Sequence, residues 1–390
     1  MRVNGGVMGM MLAFAASTSV QAEPAVNYHY SVGGGGSSNI FQDTTALSAG
    51  YGETRLGLRG TLELEDSGFD YAISASGRRV PRYRFADQQT IGVESGYRRD
   101  LAGGVSLTLK GGLEYRRSGD VFLALPGALI GYRKTDVAHA ASAGLSVEGG
   151  GGKSHFTAAF SGLDRHRARF TLAALRPTQL EADENLLDMT AGHIRPLLGG
   201  EIGATVQYRA SLIASGERER HDRFPAQALR GSLAYGRQIG DSLTLLGEIG
   251  VVNVDSDYLG KSVRRMRPFL KAEATWRPRE GLALTARFGE DTRFSDLDDA
   301  LGEHVRSAGL SIETALTDRL KAGLAFEQAD SDWLYYAYGT HTRTLAATLT
   351  LGLDDRHALL LEYSRLMRRE SDRAADFRSD ALTARIAGAF

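Results

Sequence analysis

The chain closes on Asp380-Ala-Leu-Thr-Ala-Arg-Ile-Ala-Gly-Ala-Phe390, and the reading of these residues decides the fold. Counting back in twos from Phe390 meets Gly388, Ile386, Ala384 and Leu382. The positions between hold Arg385, Thr383 and the small residues Ala389 and Ala387. Side chains alternate across an extended chain, so one face is apolar and the other partly polar up to the final carboxylate. A soluble domain rarely finishes on an alternating strand with a terminal aromatic. Any last strand can end in Phe, however, so the rest of the chain has to carry the assignment.

The opposite end agrees. Met1-Arg2 is a short, weakly basic start, and Val7 to Ala16 is an apolar core containing Met8, Met10, Met11, Leu12 and Phe14. Val20-Gln21-Ala22 then offers a small-residue cleavage site. This order reads as a secretory signal peptide over residues 1–22. Its apolar core is too short to span a bilayer as a helix. The mature unit is then 23–390.

Composition narrows the class. There is no cysteine, so disulfides and thiolate metal sites are excluded. An exported chain of 390 residues must be held by other means, and backbone ladders are the obvious candidate. Glycine is abundant (47) and proline scarce (8), which suits strands and tight turns. A net charge of −1 gives no global field for nucleic acid, and no such partner is expected. After the leader, no stretch is long and apolar enough for a membrane helix. Membrane insertion would therefore require a closed barrel.

Short turn signals cut the chain at Asp66-Ser-Gly68, Asp100-Leu-Ala-Gly-Gly104, Gly149-Gly-Gly-Gly-Lys153, Leu198-Gly-Gly200, Gly240-Asp241, Pro278-Arg-Glu-Gly281, Thr317-Asp318 and Asp354-Asp-Arg356. Each interval holds two strands and one further loop. Eight tight turns, with both termini on the same side, give eighteen strands; sixteen is the alternative count. An even number with short turns on one side and longer loops on the other suits a bacterial membrane barrel.

The alternation supports this architecture. Leu56, Leu58, Leu62 and Leu64 alternate with Arg55, Arg59 and Glu63, and Leu107, Leu109, Leu113 and Tyr115 alternate with Lys110, Glu114 and Arg116. The strands after Gly200, Gly281 and Arg319 repeat the pattern. A soluble sandwich also alternates. Strand length and the charges on the second face discriminate: that face suits water and the apolar face suits lipid. The phase is ambiguous around Asp188–Ile194, and Arg343 falls in register with Leu345, Ala347 and Leu349, beyond the expected membrane edge.

Tyr28, Tyr30, Tyr97, Tyr115, Tyr208, Tyr235, Trp276 and Tyr363 fall near strand ends, where interfacial girdles sit. Trp333-Leu-Tyr-Tyr-Ala-Tyr338 is assigned to the outer girdle, with sugar stacking as the alternative. Two intervals are longer than the others. Val121–Leu125 with Pro126-Gly127 reads as a hairpin extending past the membrane or as a loop folded inward, and Arg169–Leu175 with Arg176-Pro177 invites the same two readings.

Basic residues are lopsided, six lysines against forty arginines. Guanidinium forks keep their charge and form planar hydrogen-bonded pairs. The expected lumen lining includes Arg55, Arg59, Arg98, Glu114, Arg116, Arg209, Arg265, Arg267, Lys271, Glu273 and Arg287. Arg265, Arg267 and Lys271 share one face and are the candidates for a cationic wall, a solvated rim being the bland reading. Paired charges can also merely neutralise a plugged interior, but eighteen strands enclose more space than side chains fill.

No Gly-x-Ser-x-Gly elbow and no His-Glu-x-x-His motif is present, so the chain is not expected to be an enzyme and no cofactor is expected. Asn253-x-Asp255-x-Asp257 and Asp296-x-Asp298-Asp299 read as acidic loops. The first lacks the glycine and glutamate of a calcium loop.

The terminal aromatic strand and the whole of 23–390 resemble the Gram-negative outer-membrane β-barrel porins. The segment Ser31-Val-Gly-Gly-Gly-Gly-Ser-Ser-Asn-Ile-Phe41 is similar to an early glycine-rich strand of porin-like barrels. The resemblance implies location in the cell outer membrane and passive diffusion of small hydrophilic solutes. It also implies contact with outer-membrane lipid and lipopolysaccharide, and a monomer or homotrimer. In such families Phe390 would be the signal read by the barrel assembly machinery. Two other functions suit the same scaffold: a dedicated exporter of an acidic polysaccharide, and a surface hydrolase or adhesin.

Overall fold

The computed structural model describes residues 26–64, 66–125, 128–213, 216, 225–258, 261–294, 302–334, 337–371 and 375–390. The expected signal peptide, the Pro126-Gly127 turn and the acidic residues Asp296, Asp298 and Asp299 lie outside the described residues. The strands are β1 (Asn27–Ser37), β2 (Ala49–Leu64), β3 (Ser67–Arg79), β4 (Gln88–Leu101), β5 (Val105–Leu125), β6 (Ala128–Gly149) and β7 (Gly152–Arg165). They continue with a two-residue β8 (Arg169–Phe170), β9 (Glu184–Leu197), β10 (Gly200–Ser211), β11 (Ala226–Ile239), β12 (Leu243–Tyr258) and β13 (Lys261–Arg279). The last six are β14 (Leu282–Arg293), β15 (Glu303–Ala315), β16 (Leu320–Trp333), β17 (Gly339–Gly352), β18 (His357–Glu370) and β19 (Phe377–Ala389).

Each strand pairs antiparallel with the next, β7 pairs with β9, and β19 returns to β1. The result is a closed ring of eighteen strands, with β8 hanging on β6 at Tyr132↔Phe170. Closure leaves no sheet edge over the height the strands share, so ladder groups there are paired without water, whereas β5 beyond Arg117 and β13 before Leu270 pair on one side only. All eight expected tight turns join neighbouring strands on one side. Gly150 and Gly151 show why glycine is needed there: both have positive φ, 60° and 77°, as a two-residue hairpin turn of this hand requires.

The seam is made by the C-terminal strand and β1. The Tyr28 amide donates to the Phe390 carbonyl (3.0 Å) and the Phe390 amide donates to the Tyr28 carbonyl (2.9 Å). The Phe390 ring stacks on Tyr30 at 6.1 Å and meets His357 edge-on at 5.7 Å. The glycine run of β1 has a packing reason. A Cβ on Gly33 would lie 2.5 Å from Arg385 Cγ, and one on Gly35 would lie 3.0 Å from the Tyr51 hydroxyl. Side chains from β2 and β19 therefore lie across the Gly33–Gly36 stretch, which has none of its own.

Register fixes the two faces. Arg55, Ser76, Thr90, Arg116, Asp136 and Arg165 form one continuous row of paired positions across β2–β7. The next row, Leu56, Ala75, Ile91, Tyr115 and Val137, points the other way. Leu56 and Ile91 are more than half exposed, as the lipid-facing band of such a barrel must be. The ambiguous stretch of β9 resolves with Asp188, Thr190 and Gly192 on the charged face, since Asp188 is cross-strand from Arg209.

Two expectations need correction. Trp333 does not join the lipid-facing girdle. It pairs with Glu303 on the charged face, its ring lies 4.3 Å from that of Tyr338, and Leu334 packs into an apolar cluster with Phe269 and Val252. Asn253 and Asp255 are ladder residues of β12 rather than loop residues, and Asp255 meets Arg264 of β13 at 3.9 Å. An apolar face with a neighbouring ladder outweighs the weak strand preference of Asn and Asp.

Candidate functional site

The charged face of the ring carries ion pairs around its circumference. Arg116 contacts Glu114 at 2.5 Å, Arg287 contacts Glu273 at 3.0 Å, Arg209 contacts Asp188 at 3.1 Å and Arg55 contacts Glu53 at 3.6 Å. Arg385 reaches Glu53 at 3.1 Å across glycine strand β1 and also bonds Glu362 of β18. Arg59 lies in one row with Glu94, and Lys271 lies directly across from Glu248. Arg98 is exposed, on the row of Gly68 and Thr108. Most of these groups keep access to solvent, so they shape the field along the wall more than they stabilise the fold.

Arg265, Arg267 and Lys271 do share that face, across from Val254, Val252 and Glu248. Phe269 lies between them in sequence, buried, with the Arg230 guanidinium 4.3 Å from its ring centroid. The cationic strip is thus interrupted by an aromatic. Arg265 and Arg267 are in no ion pair among the described residues.

At the mouth opposite the tight turns, loop side chains pack together in two clusters. Ile40, Phe41 and Leu47 meet Val80, Tyr83 and Phe85 over Ala49 and Tyr51, with Phe41 and Phe85 stacked at 5.6 Å. Phe294 and Leu334 pack on Ala226, Val252, Val254 and Phe269. The ring order puts β3 eight places from β12 one way and ten the other, so the two clusters come from nearly opposite walls.

The two long intervals resolve differently. β5 and β6 form the extended hairpin, pairing out to Leu125↔Ala128. Residues 171–183 form a loop that returns to the charged face. There Glu181 bonds both Lys134 (2.6 Å) and Arg165, and Arg165 also holds Glu184 at 2.5 Å. The hairpin is gripped from both sides. A Cβ on Gly131 would strike the Phe85 ring, whereas Phe122, on the alternate face, packs on Phe170 at 4.7 Å.

Glu53, Arg78, Lys134, Asp136, Arg165, Asp188 and Arg230 were not among the expected lining residues. The period-two count from Arg55 includes Glu53, and the count from Arg116 to its partner strand reaches Asp136, so the signal was present for both. Glu181 carries no periodic signal, because a loop places it. Among the described residues, no group of three or more His, Asp or Glu side chains is arranged to hold a metal ion.

No protein-family profile matches the chain, and no curated protein sequence matches it either. Solved structures do. FpvA of Pseudomonas aeruginosa, solved bound to heterologous pyoverdines, superposes with a TM-score of 0.52 at 12% identity, over 90% of this chain and 57% of that one. The siderophore receptor PirA of Acinetobacter baumannii superposes with a TM-score of 0.52 at 8% identity, over 96% of this chain and 81% of that one. This chain spans little more than half the length of FpvA. These neighbours are siderophore receptors rather than porins, and at such identities the likeness is one of fold. Together with the exposed apolar band, it gives this chain the fold of an outer-membrane β-barrel.

Proposed function

We propose that the barrel is a channel for passive diffusion of small hydrophilic solutes across the outer membrane. The observation that carries this reading is the lining of opposed charges, buried at Glu53–Arg385 and open to solvent at Glu114–Arg116, Asp188–Arg209 and Glu273–Arg287. Facing charges of opposite sign orient dipolar solutes and set ion preference. Eighteen strands enclose a lumen that wall side chains alone do not fill. The loop clusters at the mouth then act as a sieve.

Single-channel conductance of the purified barrel in planar bilayers tests this. Discrete ohmic steps are expected, and a non-conducting barrel would overturn the channel reading. The double variant Arg265→Glu/Arg267→Glu should move the reversal potential toward cation preference. An unchanged potential would remove both residues from the conduction path.

A further inference from the structure

Four arginines surround one methionine on the lipid-facing side of β17–β19. Met367 of β18 is directly across from Arg343 of β17 on one side and Arg378 of β19 on the other. Arg365 and Arg369 lie two residues before and after it on the same strand, and therefore on the same face. This face is the one that carries Leu361 and Leu382, both exposed. The four side chains thus root in a diamond about 10 Å across and about 13 Å along the strand, given the spacing of strands and residues. Arginine side chains reach the centre of such a figure from every corner.

The diamond sits where the apolar band ends. On β18 the outward series runs Leu359, Leu361, Tyr363 and then Arg365. It lies at the end away from the tight turns, which is the extracellular end in barrels of this type. Counter-charge nearby is already engaged, and Asp376, just before β19, accepts the Glu370 amide (2.7 Å). Asp380 accepts hydrogen bonds from Arg365 (2.6 Å), Arg378 (2.9 Å) and the Tyr363 hydroxyl (2.7 Å), which fixes two corners. On the neighbouring β16, Asp330 is engaged by His341 and Asp332 by Arg306. Arg343 and Arg369 are exposed and in no ion pair among the described residues. Four like charges around an apolar residue repel one another unless an anion joins them.

We propose that this diamond binds the phosphate of a phosphorylated glycolipid headgroup in the outer leaflet. Guanidinium forks match phosphate oxygens in pairs. The site lies at the level where a headgroup meets the acyl region, with Met367 and Tyr363 offering an apolar floor. Lateral position, rather than the lumen, makes a lipid the occupant. The site is separate from the channel and stands or falls independently of it.

The test uses the full barrel in nanodiscs containing lipopolysaccharide, the same glycolipid stripped of its phosphates, or neither. Bound glycolipid is counted by native mass spectrometry after detergent exchange. The wild type should retain lipopolysaccharide, and Arg343→Gln/Arg369→Gln should lower retention by about tenfold through loss of two charge-assisted contacts. Removing the lipid phosphates should lower it similarly. Millimolar inorganic phosphate should not displace the lipid. Equal retention by the double variant, or of the stripped glycolipid, would overturn the proposal. Full displacement by inorganic phosphate would reassign the diamond to a free anion. Unshifted heat-modifiable mobility on gels checks that the variants are folded barrels, and the single variant Arg343→Gln stands in if the double one is not.

Discussion

At the periplasmic end, turns of two to four residues join strands in register, and the chain termini close the ring through Tyr28 and Phe390. At the extracellular end, connections run from two to eighteen residues, and among the described residues side chains of several of them pack on one another, on the extended hairpin and on the inner wall. The first end makes the barrel and the second shapes what enters it. Changes at the seam should therefore alter assembly without altering the conductance of the barrels that form. Changes at the mouth should do the reverse.

The largest effect is expected from deletion of Phe390, which removes both hydrogen bonds to Tyr28 and the ring contacts with Tyr30 and His357. Folded barrel in the membrane should fall severalfold, measured by heat-modifiable mobility, with normal conductance in the remainder. Wild-type yield would break the proposed division of labour and would also remove Phe390 as an assembly signal. Next is Gly33→Ala, whose Cβ would lie 2.1 Å from the Ala384 carbonyl. Overpacking of this kind costs about 1–3 kcal/mol, read as a lower urea midpoint in detergent. Gly247→Ala, which meets nothing within 4 Å, is the neutral control.

At the mouth, Glu181→Gln should loosen the 171–183 loop from Lys134 and Arg165. Conductance should rise by no more than about twofold, because only one of the opposed loop groups is touched. An unchanged conductance would place this loop clear of the solute path. The smallest effect belongs to Asp354, in the β17–β18 turn. Its carboxyl is held below the ordinary range, first by the Arg356 amide and then by the His357 side chain. A depressed carboxylate contributes stability that is present above its unfolded pKa and lost as pH falls through the folded one. Wild type should thus lose a little stability on acidification that Asp354→Asn lacks throughout, visible as a shallower pH dependence of the urea midpoint.

The same contrast explains what could be read from sequence. The eight turns were legible because Gly, Asp and Asn act locally, within the few residues that they bend. The shared face of Arg55 with Arg59, or of Arg265 with Lys271, was legible because alternation is exact over a ladder. The mouth was not, because its contacts are distant in sequence: Phe41 with Phe85, Leu334 with Phe269, Glu181 with Lys134. Trp333 is instructive. Its phase follows from Glu327 by counting in twos, but the density of aromatics around it suggested an interface with lipid. Asn253 and Asp255 misled in the same way, since residue type suggested a loop where periodicity continued.

Across the described ladders, register slips occur in only two places, between Val121 and Leu123 and between Trp276 and Arg279, each at a strand end. Every strand therefore divides its residues between water and lipid by parity alone. Inserting or deleting one residue in the middle of β13 would turn Arg265 and Arg267 toward lipid and Met266 toward water. The defect would spread to the neighbouring strands through the ring. Lengths within the wall are frozen in this sense, and changes of length over evolutionary time are confined to the connections between strands.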